Sequence, residues 1–262
     1  MSTPEPRTPR PHHLADMTTE QAAEAVTESP VVILAAGAFE QHGPAMPLAT
    51  DLVRAEAVAD RVAERLSGRA VIGPGLPVGV SPHHVAFAGT LTLSVDTFRT
   101  VLREYLDGLY THGWRKVLVI TGHGGNNAAL TTLAQDLLAD LPDLQFAWSP
   151  LTSVAADVVA RMPKSEVHGH CGEAETAQML HLAPGLVHTD RFAPGTRNLS
   201  ELDALPRLAR RPGPPTIQVR YDRLSANGVL GDPARATAED GAAIVDRVVA
   251  EITDFVEEWL KA

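Results

Sequence analysis

Two kinds of hydrophobic pattern alternate along the chain. Short apolar runs, typical of buried parallel strands, are separated by longer stretches whose apolar residues recur every three or four positions, as on one face of a helix. The apolar runs predict strands at 30–36, 70–72, 116–120 and 144–148. The periodic stretches predict helices at 18–27, 51–66, 95–112, 126–141, 173–182 and 236–260. Thr18 or Thr19 is the expected N-cap of the first helix, and Thr237 opens the last one.

This alternation predicts a three-layer α/β/α fold, in which a mostly parallel sheet lies between two layers of helices. We expect a single domain over residues 17–262, because the chain is long enough for one large core. Residues 1–16 are polar and rich in proline, which predicts a disordered N-terminal arm. The segment 191–225 is rich in proline and arginine, and its pattern predicts no regular element.

Composition and charge narrow the classes of partner. The 262 residues carry a formal net charge of −10 without a dense Lys/Arg cluster, which argues against a nucleic-acid partner. No apolar run is long enough to span a membrane, and residues 1–13 lack the apolar core of a signal peptide. The single cysteine, Cys171, excludes an internal disulfide and fits a reducing cytoplasm, where we expect the protein to reside.

The loop after the first predicted strand, residues 37–51, brings Glu40, His42 and Asp51 together among glycines and prolines. Carboxylate and imidazole groups together suit zinc, manganese or iron, and one carboxylate can bridge two ions. The alternative is a polar loop whose charged groups cap neighbouring helices. Ligands at the ends of other strands would decide the question, because open α/β sheets bind ligands beyond the carboxyl ends of their strands.

A second polar segment, Thr-Gly-His-Gly-Gly-Asn-Asn at 121–127, follows the predicted strand 116–120 and places His123 at the tip of that strand. Its glycines allow the backbone to approach a ligand closely. A nucleotide P-loop is disfavoured, because no Lys-Ser/Thr pair follows the glycines. The other alternative is a strand-to-helix turn with an incidental histidine.

A third polar segment, residues 168–176, opens a predicted helix. Glu173 and Glu175 lie two positions apart, so they point about 200° apart on a helix and cannot both face one ion pair. One of them is a candidate ligand, and the other is expected to act on the helix dipole. His170 is a candidate proton donor or acceptor near neutral pH, and Cys171 is expected to be a buried thiol.

These three segments resemble, in the same order, the signature blocks of the creatininase family of metal-dependent amidohydrolases. A fourth segment, 79–91, with Ser81 and His84 at its polar positions, is also similar to a block of that family. The stretches 228–233 and 236–241 resemble its C-terminal block. The resemblance therefore runs from about residue 30 to residue 241, which is far more specific than a single motif.

The resemblance implies a site for two divalent ions, with zinc expected and manganese or iron as alternatives. Glu40, Asp51 and His123 would hold one ion. Asp51 would bridge to a second ion, which is held by His42 and a further carboxylate.

The last ligand departs from the family pattern. Creatininase itself carries a glutamate two residues after the histidine of the Gly-His segment, and this chain has Gly125 there. We therefore expect Glu175, rather than Glu173, to complete the second set of ligands. The departure also disfavours creatinine as the substrate.

The resemblance also assigns roles in catalysis. His170 or Glu175 would move the proton from the attacking water to the leaving nitrogen, and Ser81, His84 and Asn126 would bind and orient the substrate. Family members form hexamers built from dimers, so we expect a homo-oligomer.

We expect hydrolysis of a C–N amide bond, in a cyclic amide or a formamide-like small molecule, by water activated between the two ions. One alternative is cleavage of a precursor peptide, because a branch of the family acts in mycofactocin maturation. Another is a catalytically silent protein that uses its loops to bind metal or a partner. A serine hydrolase built on Ser81 and His84 is disfavoured, because the glycine pattern of a nucleophile elbow is missing.

Overall fold

A four-stranded parallel sheet organises the protein, and the computed structural model describes residues 10–262. Its strands are β1 (Val31–Ala36), β2 (Ala70–Ile72), β3 (Lys116–Thr121) and β4 (Gln145–Pro150), in the spatial order β2-β1-β3-β4. Strands β1 and β3 pair along their whole length, from Val31 opposite Lys116 to Ala36 opposite Thr121. Every residue of β1 is buried, which explains its continuous apolar sequence.

Helices cover both faces of the sheet, as the alternating pattern predicted. Side chains of α2 and α9 form the core on one face, together with the apolar positions Ile33 and Leu118 of β1 and β3. Side chains of α1, α3 and α4 form the core on the other face. The helices are α1 (Thr19–Glu28), α2 (Thr50–Arg65), α3 (Val95–Thr111), α4 (Asn127–Asp140), α5 (Leu151–Val154), α6 (Ala156–Arg161), α7 (Glu173–Leu182), α8 (Ala204–Ala209) and α9 (Ala238–Trp259).

The sequence-based element bounds agree with these to within two residues. Thr18 caps α1 in a capping box with Gln21, and the Thr237 side chain accepts a hydrogen bond from the Asp240 N–H at the start of α9. The short helices α5 and α6 were not predicted. The segment 191–225, in which the sequence pattern placed no element, contains α8 and two short 3-10 helices.

The end of the predicted disordered arm is ordered. His13 forms an isolated parallel bridge with Ile72 of β2, and its Nε2 lies 2.7 Å from Asp60 Oδ1 on α2. Residues 10–16 therefore contact the domain, because a strand edge and a carboxylate are available to them, and the boundary at residue 16 is wrong. The rest of the predicted arm, residues 1–9, lies outside the described residues. Over the described range, no helix is sufficiently long and apolar to cross a membrane.

Candidate metal centre

Imidazole and carboxylate groups meet beyond the carboxyl ends of β1 and β3. The loop after β1 carries Glu40 and His42, and Asp51 lies in the first turn of α2. His123 follows β3, and Glu175 lies in the first turn of α7. This is the edge at which parallel sheets bind ligands.

One set of donors surrounds His123. Its Nδ1 lies 3.3 Å from Glu40 Oε1 and 3.3 Å from Asp51 Oδ2. Donors that share a tetrahedral zinc with bond lengths of about 2.0–2.1 Å lie about 3.3 Å apart. The separation of these three atoms therefore fits one divalent ion.

A second set of donors surrounds His42. Its Nε2 lies 3.4 Å from Asp51 Oδ1 and 3.9 Å from Glu175 Oε2. The two oxygens of Asp51 thus face different histidines, Oδ1 toward His42 and Oδ2 toward His123. A carboxylate in this orientation can bridge two ions.

Several of these donor atoms are buried without a hydrogen-bond partner. Glu40 and His42 are 0% exposed and Asp51 is 1% exposed. Within residues 10–262, no partner is found for four of their atoms, namely both carboxylate oxygens of Glu40, His42 Nε2 and Asp51 Oδ2. Buried polar atoms are normally satisfied, so four converging orphans indicate that a ligand belongs between them. Oxygen and imidazole donors fit zinc, manganese or iron.

Backbone carbonyls fix the tautomers of the two histidines. His42 Nδ1 donates to the carbonyl of Glu40 at 3.1 Å, and His123 Nε2 donates to the carbonyl of Val80 at 3.0 Å. When each ring is neutral, as a metal ligand must be, its remaining nitrogen carries a lone pair that faces the carboxylates. Such hydrogen bonds orient metal-ligating histidines and strengthen their basicity.

The carboxylates also control the protonation of these histidines. Burial by itself would lower the pKa of His42, but Asp51, Glu175 and Glu40 raise it to about 9. Burial likewise opposes the charged form of His123, but the nearby carboxylates of Asp51 and Glu40 raise its pKa well above the usual value. A field strong enough to hold protons on buried imidazoles also attracts divalent cations, which replace those protons.

Two further histidines face the same space as neutral rings. His170 Nε2 donates to the backbone carbonyl of Gln41 at 2.7 Å, so its Nδ1 presents a lone pair, 3.5 Å from Glu40 Oε1. Burial is the main factor that lowers the pKa of both His170 and His84, the latter to about 2. His170 is therefore placed to accept a proton.

Gln41 determines the tautomer of His84. The Gln41 Oε1 accepts from the N–H of Gly43 at 2.9 Å, and Nε2 donates to the Gly228 carbonyl at 3.2 Å, which fixes the orientation of the amide. Gln41 Nε2 also lies 2.9 Å from both His84 Nδ1 and His170 Nε2. Because His170 Nε2 donates to the Gln41 carbonyl, the second amide hydrogen goes to His84 Nδ1, and His84 Nε2 carries the ring hydrogen. His84 Nε2 lies 3.5 Å from Glu40 Oε1 and has no hydrogen-bond partner in the described part of the chain. This nitrogen is available as a hydrogen-bond donor, and the substrate-binding role of His84 stays a prediction.

Glu175, and not Glu173, faces the centre. Glu173 Oε1 accepts hydrogen bonds from the Ser165 N–H and hydroxyl and from the Asp232 N–H, so Glu173 ties loops together instead of acting only on the helix dipole. Glu175 Oε2 accepts the Cys171 N–H at 2.6 Å and lies near His42. The buried Cys171 thiol donates to the His42 carbonyl, in agreement with the predicted buried thiol.

Gly125 occupies a position that has no room for a side chain. A Cβ there would lie 2.3 Å from His123 Nε2 and 2.3 Å from the carbonyl oxygen of Val80. These are the two atoms of the hydrogen bond that orients His123. A carboxylate from this position is therefore excluded in this chain.

Two predicted substrate contacts are located in the walls of the site. Asn126 is fully buried, and its amide donates to the Gly37 carbonyl and Thr121 hydroxyl and accepts from the Val80 N–H. Because both amide hydrogens are used, we replace the substrate role of Asn126 with a structural one. The Ser81 hydroxyl is buried and lies 3.3 Å from His123 Nε2.

Three residues near the centre were not predicted from the sequence. Arg54, one turn after Asp51 on α2, is completely buried against the carboxylates. His83 stacks on His123 with ring centroids 5.5 Å apart. The centroid of the Tyr221 ring lies 4.1 Å from that of the His84 ring and 5.3 Å from that of the His170 ring. The position of Arg54 one turn from Asp51 was a usable signal, whereas Tyr221 comes from a segment without periodicity.

Comparison with known protein families agrees with this geometry. Residues 15–256 match the family model described as creatininase, creatinine amidohydrolase. This chain belongs to the creatininase family. The predicted fold class, family and hydrolase activity are thereby confirmed.

Relatives with two different activities cover nearly the whole chain. The mycofactocin precursor peptide peptidase of Mycobacterium ulcerans (strain Agy99) is 33% identical over 254 residues, which cover 94% of this chain and 92% of the relative. The creatinine amidohydrolase of Pseudomonas putida is 28% identical over 244 residues, which cover 87% of this chain and 89% of that relative. Family membership therefore leaves the substrate open.

Solved creatininase structures share the fold. A creatinine amidohydrolase (creatininase) superimposes with a TM-score of 0.80 at 26% identity, covering 94% of this chain and 97% of the other. A manganese form of creatininase has a TM-score of 0.78 at 26% identity and covers 94% of this chain and 98% of its own. A Zn–Zn type mutant creatininase, also 26% identical, has a TM-score of 0.77, with 94% and 97% covered. Manganese and zinc are thus the metals of these neighbours.

Proposed function

We propose that this protein is a dinuclear-metal amidohydrolase that cleaves an amide bond in a short precursor peptide. The observation that carries the metal chemistry is the set of buried, unpartnered donor atoms on Glu40, His42 and Asp51. The 33% identity over 94% of the chain with a precursor peptidase supports the peptide as substrate. The lack of space at Gly125 supports a ligand set that includes Glu175.

The ligand sets follow from the contacts. Glu40, Asp51 and His123 would hold one ion, and His42, Asp51 and Glu175 the other. Two bound divalent ions would lower the pKa of a shared water and polarise the carbonyl of the amide.

The chain itself supplies proton transfer and orientation. His170 Nδ1, which has a lone pair, accepts a proton from the attacking water and returns it to the leaving nitrogen. The Nε2–H of His84 donates to an oxygen of the substrate. The rings of Tyr221 and His83 form the wall next to these two histidines.

A second candidate substrate is a small cyclic amide or a formamide-like molecule. It is favoured by the enclosure of the centre, since Glu40 and His84 are 0% exposed and Glu175 has a side-chain exposure of only 14%. An enclosed centre suits a small molecule, whereas a peptide must present its scissile bond near one end. The 28% identity with a creatinine amidohydrolase supports the same class.

The test is an activity screen on protein loaded with Zn²⁺ or Mn²⁺. The substrates are short peptides, including small precursors encoded near the gene, and a panel of lactams, formamides and creatinine, with mass spectrometry as the readout. Cleavage of peptides but not of small amides is expected, and the reverse result would favour the second candidate. Turnover that survives chelation, with no metal found by elemental analysis, would refute the metal mechanism.

Alanine at Glu40 or His123 separates an enzyme from a silent binding protein. Both variants are expected to lose turnover. If the wild type shows no turnover and the variants lose binding of a partner, the catalytically silent alternative is supported. The homo-oligomer and the cytoplasmic location stay predictions, and light scattering after gel filtration tests the first.

A further inference from the structure

Arg54 has an unusual position for a charged side chain. It lies on α2, one turn after Asp51, and its exposure is 0%. A guanidinium is rarely buried unless it is paired, because removing its charge from water is costly. The groups that Arg54 contacts therefore indicate its role.

One edge of the guanidinium contacts the two carboxylates of the His42 set. Arg54 Nη1 donates to Glu175 Oε1 at 2.8 Å and lies 3.4 Å from Asp51 Oδ1. The same Asp51 oxygen is the one that faces His42. No ion pair between Arg54 and Glu40 occurs in the structurally described range.

The other edge is anchored by neutral groups. Arg54 Nη2 donates to the Thr152 hydroxyl at 2.9 Å, and Nε and Nη2 lie 3.3 and 3.2 Å from Gln178 Oε1. Gln178 lies on α7, one turn after Glu175. The planar guanidinium is thus fixed at both edges, and its orientation is transmitted to Glu175.

Glu175 needs such support. It is the most exposed of the proposed ligands, and a glutamate side chain has several rotatable bonds whose ordering costs entropy. Arg54 holds Oε1 and the Cys171 N–H holds Oε2, so the carboxylate is fixed with Oε2 toward His42 and His170.

We propose that Arg54 is a positioning residue that fixes Glu175 as the carboxylate ligand of the His42 ion, the ligand that Gly125 cannot supply. The proposal rests on the proposed metal function. It also predicts an asymmetry: Arg54 supports the ion of the His42 set and leaves the ion of the His123 set unaffected. It contacts neither Glu40 nor His123, and it meets the shared Asp51 only at Oδ1, the oxygen that faces His42.

The test is Co²⁺ binding to the metal-free protein, followed by its visible spectrum and by chelator competition, with stoichiometry from elemental analysis. Wild type is expected to bind two ions. Arg54→Met is expected to bind one ion as wild type does and the other about 10–100-fold more weakly, as when a partner of a ligand is removed. Arg54→Lys should recover part of that loss, because lysine restores the positive charge but not the planar guanidinium with donors on both edges. The control, Arg69→Met, removes an arginine paired with Glu257 at the surface and should bind both ions normally.

A double-mutant cycle tests whether Arg54 acts through Glu175. Glu175→Gln should weaken the same ion, and adding Arg54→Met should cost little more, because residues that act as a unit are not additive. Equal weakening of both ions by Arg54→Met, normal binding of both, or full additivity would each overturn the proposal. If Arg54→Met does not fold, Arg54→Lys alone decides, since it must weaken one ion selectively.

These outcomes are distinguishable from failure of the proposed function. If wild type binds two ions but cleaves no amide, the activity is wrong and the role of Arg54 still stands or falls on the Co²⁺ data. If wild type binds no ion, both proposals are refuted together.

Discussion

Substitution of Gly125 tests the geometry of the centre most directly. An alanine Cβ at this position would lie 2.3 Å from both His123 Nε2 and the Val80 carbonyl oxygen. The hydrogen bond between these atoms, 3.0 Å long, gives His123 its tautomer. Gly125→Ala should therefore disturb both folding and metal binding.

The magnitude follows from the two overlaps. Ordinary contacts of a Cβ start at 3.4 Å, so each neighbour must retreat by about 1 Å. Overpacking of this kind costs about 1–3 kcal/mol, and leaving a buried donor or acceptor unpaired costs about 1–3 kcal/mol more. At about 2–4 °C per kcal/mol, the melting temperature should fall by at least about 4 °C. The affinity for the ion at His123 should fall about 10–100-fold.

The neighbouring glycine provides a matched control. A Cβ at Gly124 has no atom within 4 Å, and the residue has no positive φ. Gly124→Ala should leave stability unchanged or raise it by about 0.4–1 kcal/mol. The assay is thermal unfolding of metal-free protein, with metal affinity measured by chelator competition. If Gly125→Ala has the same melting temperature as Gly124→Ala and binds both ions normally, our account of this position is wrong.

Three further outcomes are expected. Asn126→Ala should destabilise the protein by about 2–4 kcal/mol in denaturant unfolding, because it leaves buried partners such as the Val80 N–H unpaired; a change below about 0.5 kcal/mol would contradict its structural role. Zn²⁺ binding at pH 7–8 should release protons and weaken as the pH falls. The reason is that the pKa of His42, about 9, and the raised pKa of His123 leave both rings protonated in the metal-free protein. Calorimetry in buffers of different ionisation heat should detect the released protons, and their absence would refute the assigned protonation. Tyr221→Phe should keep two ions but lower turnover up to about 10-fold if its hydroxyl binds substrate, and unchanged steady-state rates would exclude that contact.

The sheet and the main donors could be predicted because both are local properties of the sequence. Continuous apolar runs identify parallel strands, and polar residues just beyond them must meet at the carboxyl edge of the sheet. Glu40 and His42 follow β1, and His123 follows β3, so knowledge of the strands alone brings them together. The choice of Glu175 over Glu173 depended on the resemblance as well; Glu175 lies near His42, whereas Glu173 is bonded to Ser165.

Other parts depend on contacts that no local pattern contains. Arg54 meets Glu175 across 121 positions of sequence, and periodicity identifies Arg54 only as a position on the buried side of α2. Tyr221 reaches His84 from a segment in which short 3-10 helices follow one another without a repeating pattern. Asn126 was expected to orient the substrate, but its burial against the Gly37 carbonyl and the Val80 N–H follows only from the packing of these segments.

The lack of space at Gly125 and the buried charge of Arg54 have one physical origin. The backbone carbonyl that orients His123 also occupies the space that a side chain at 125 would need, so the second carboxylate has to come from elsewhere. The carboxylate from α7 is more exposed than the other proposed ligands, and Arg54 holds it in place. Restoring a carboxylate at 125 without altering Val80 should consequently fail to rescue Glu175→Gln, since the new side chain would displace the His123 ligand that the other ion requires.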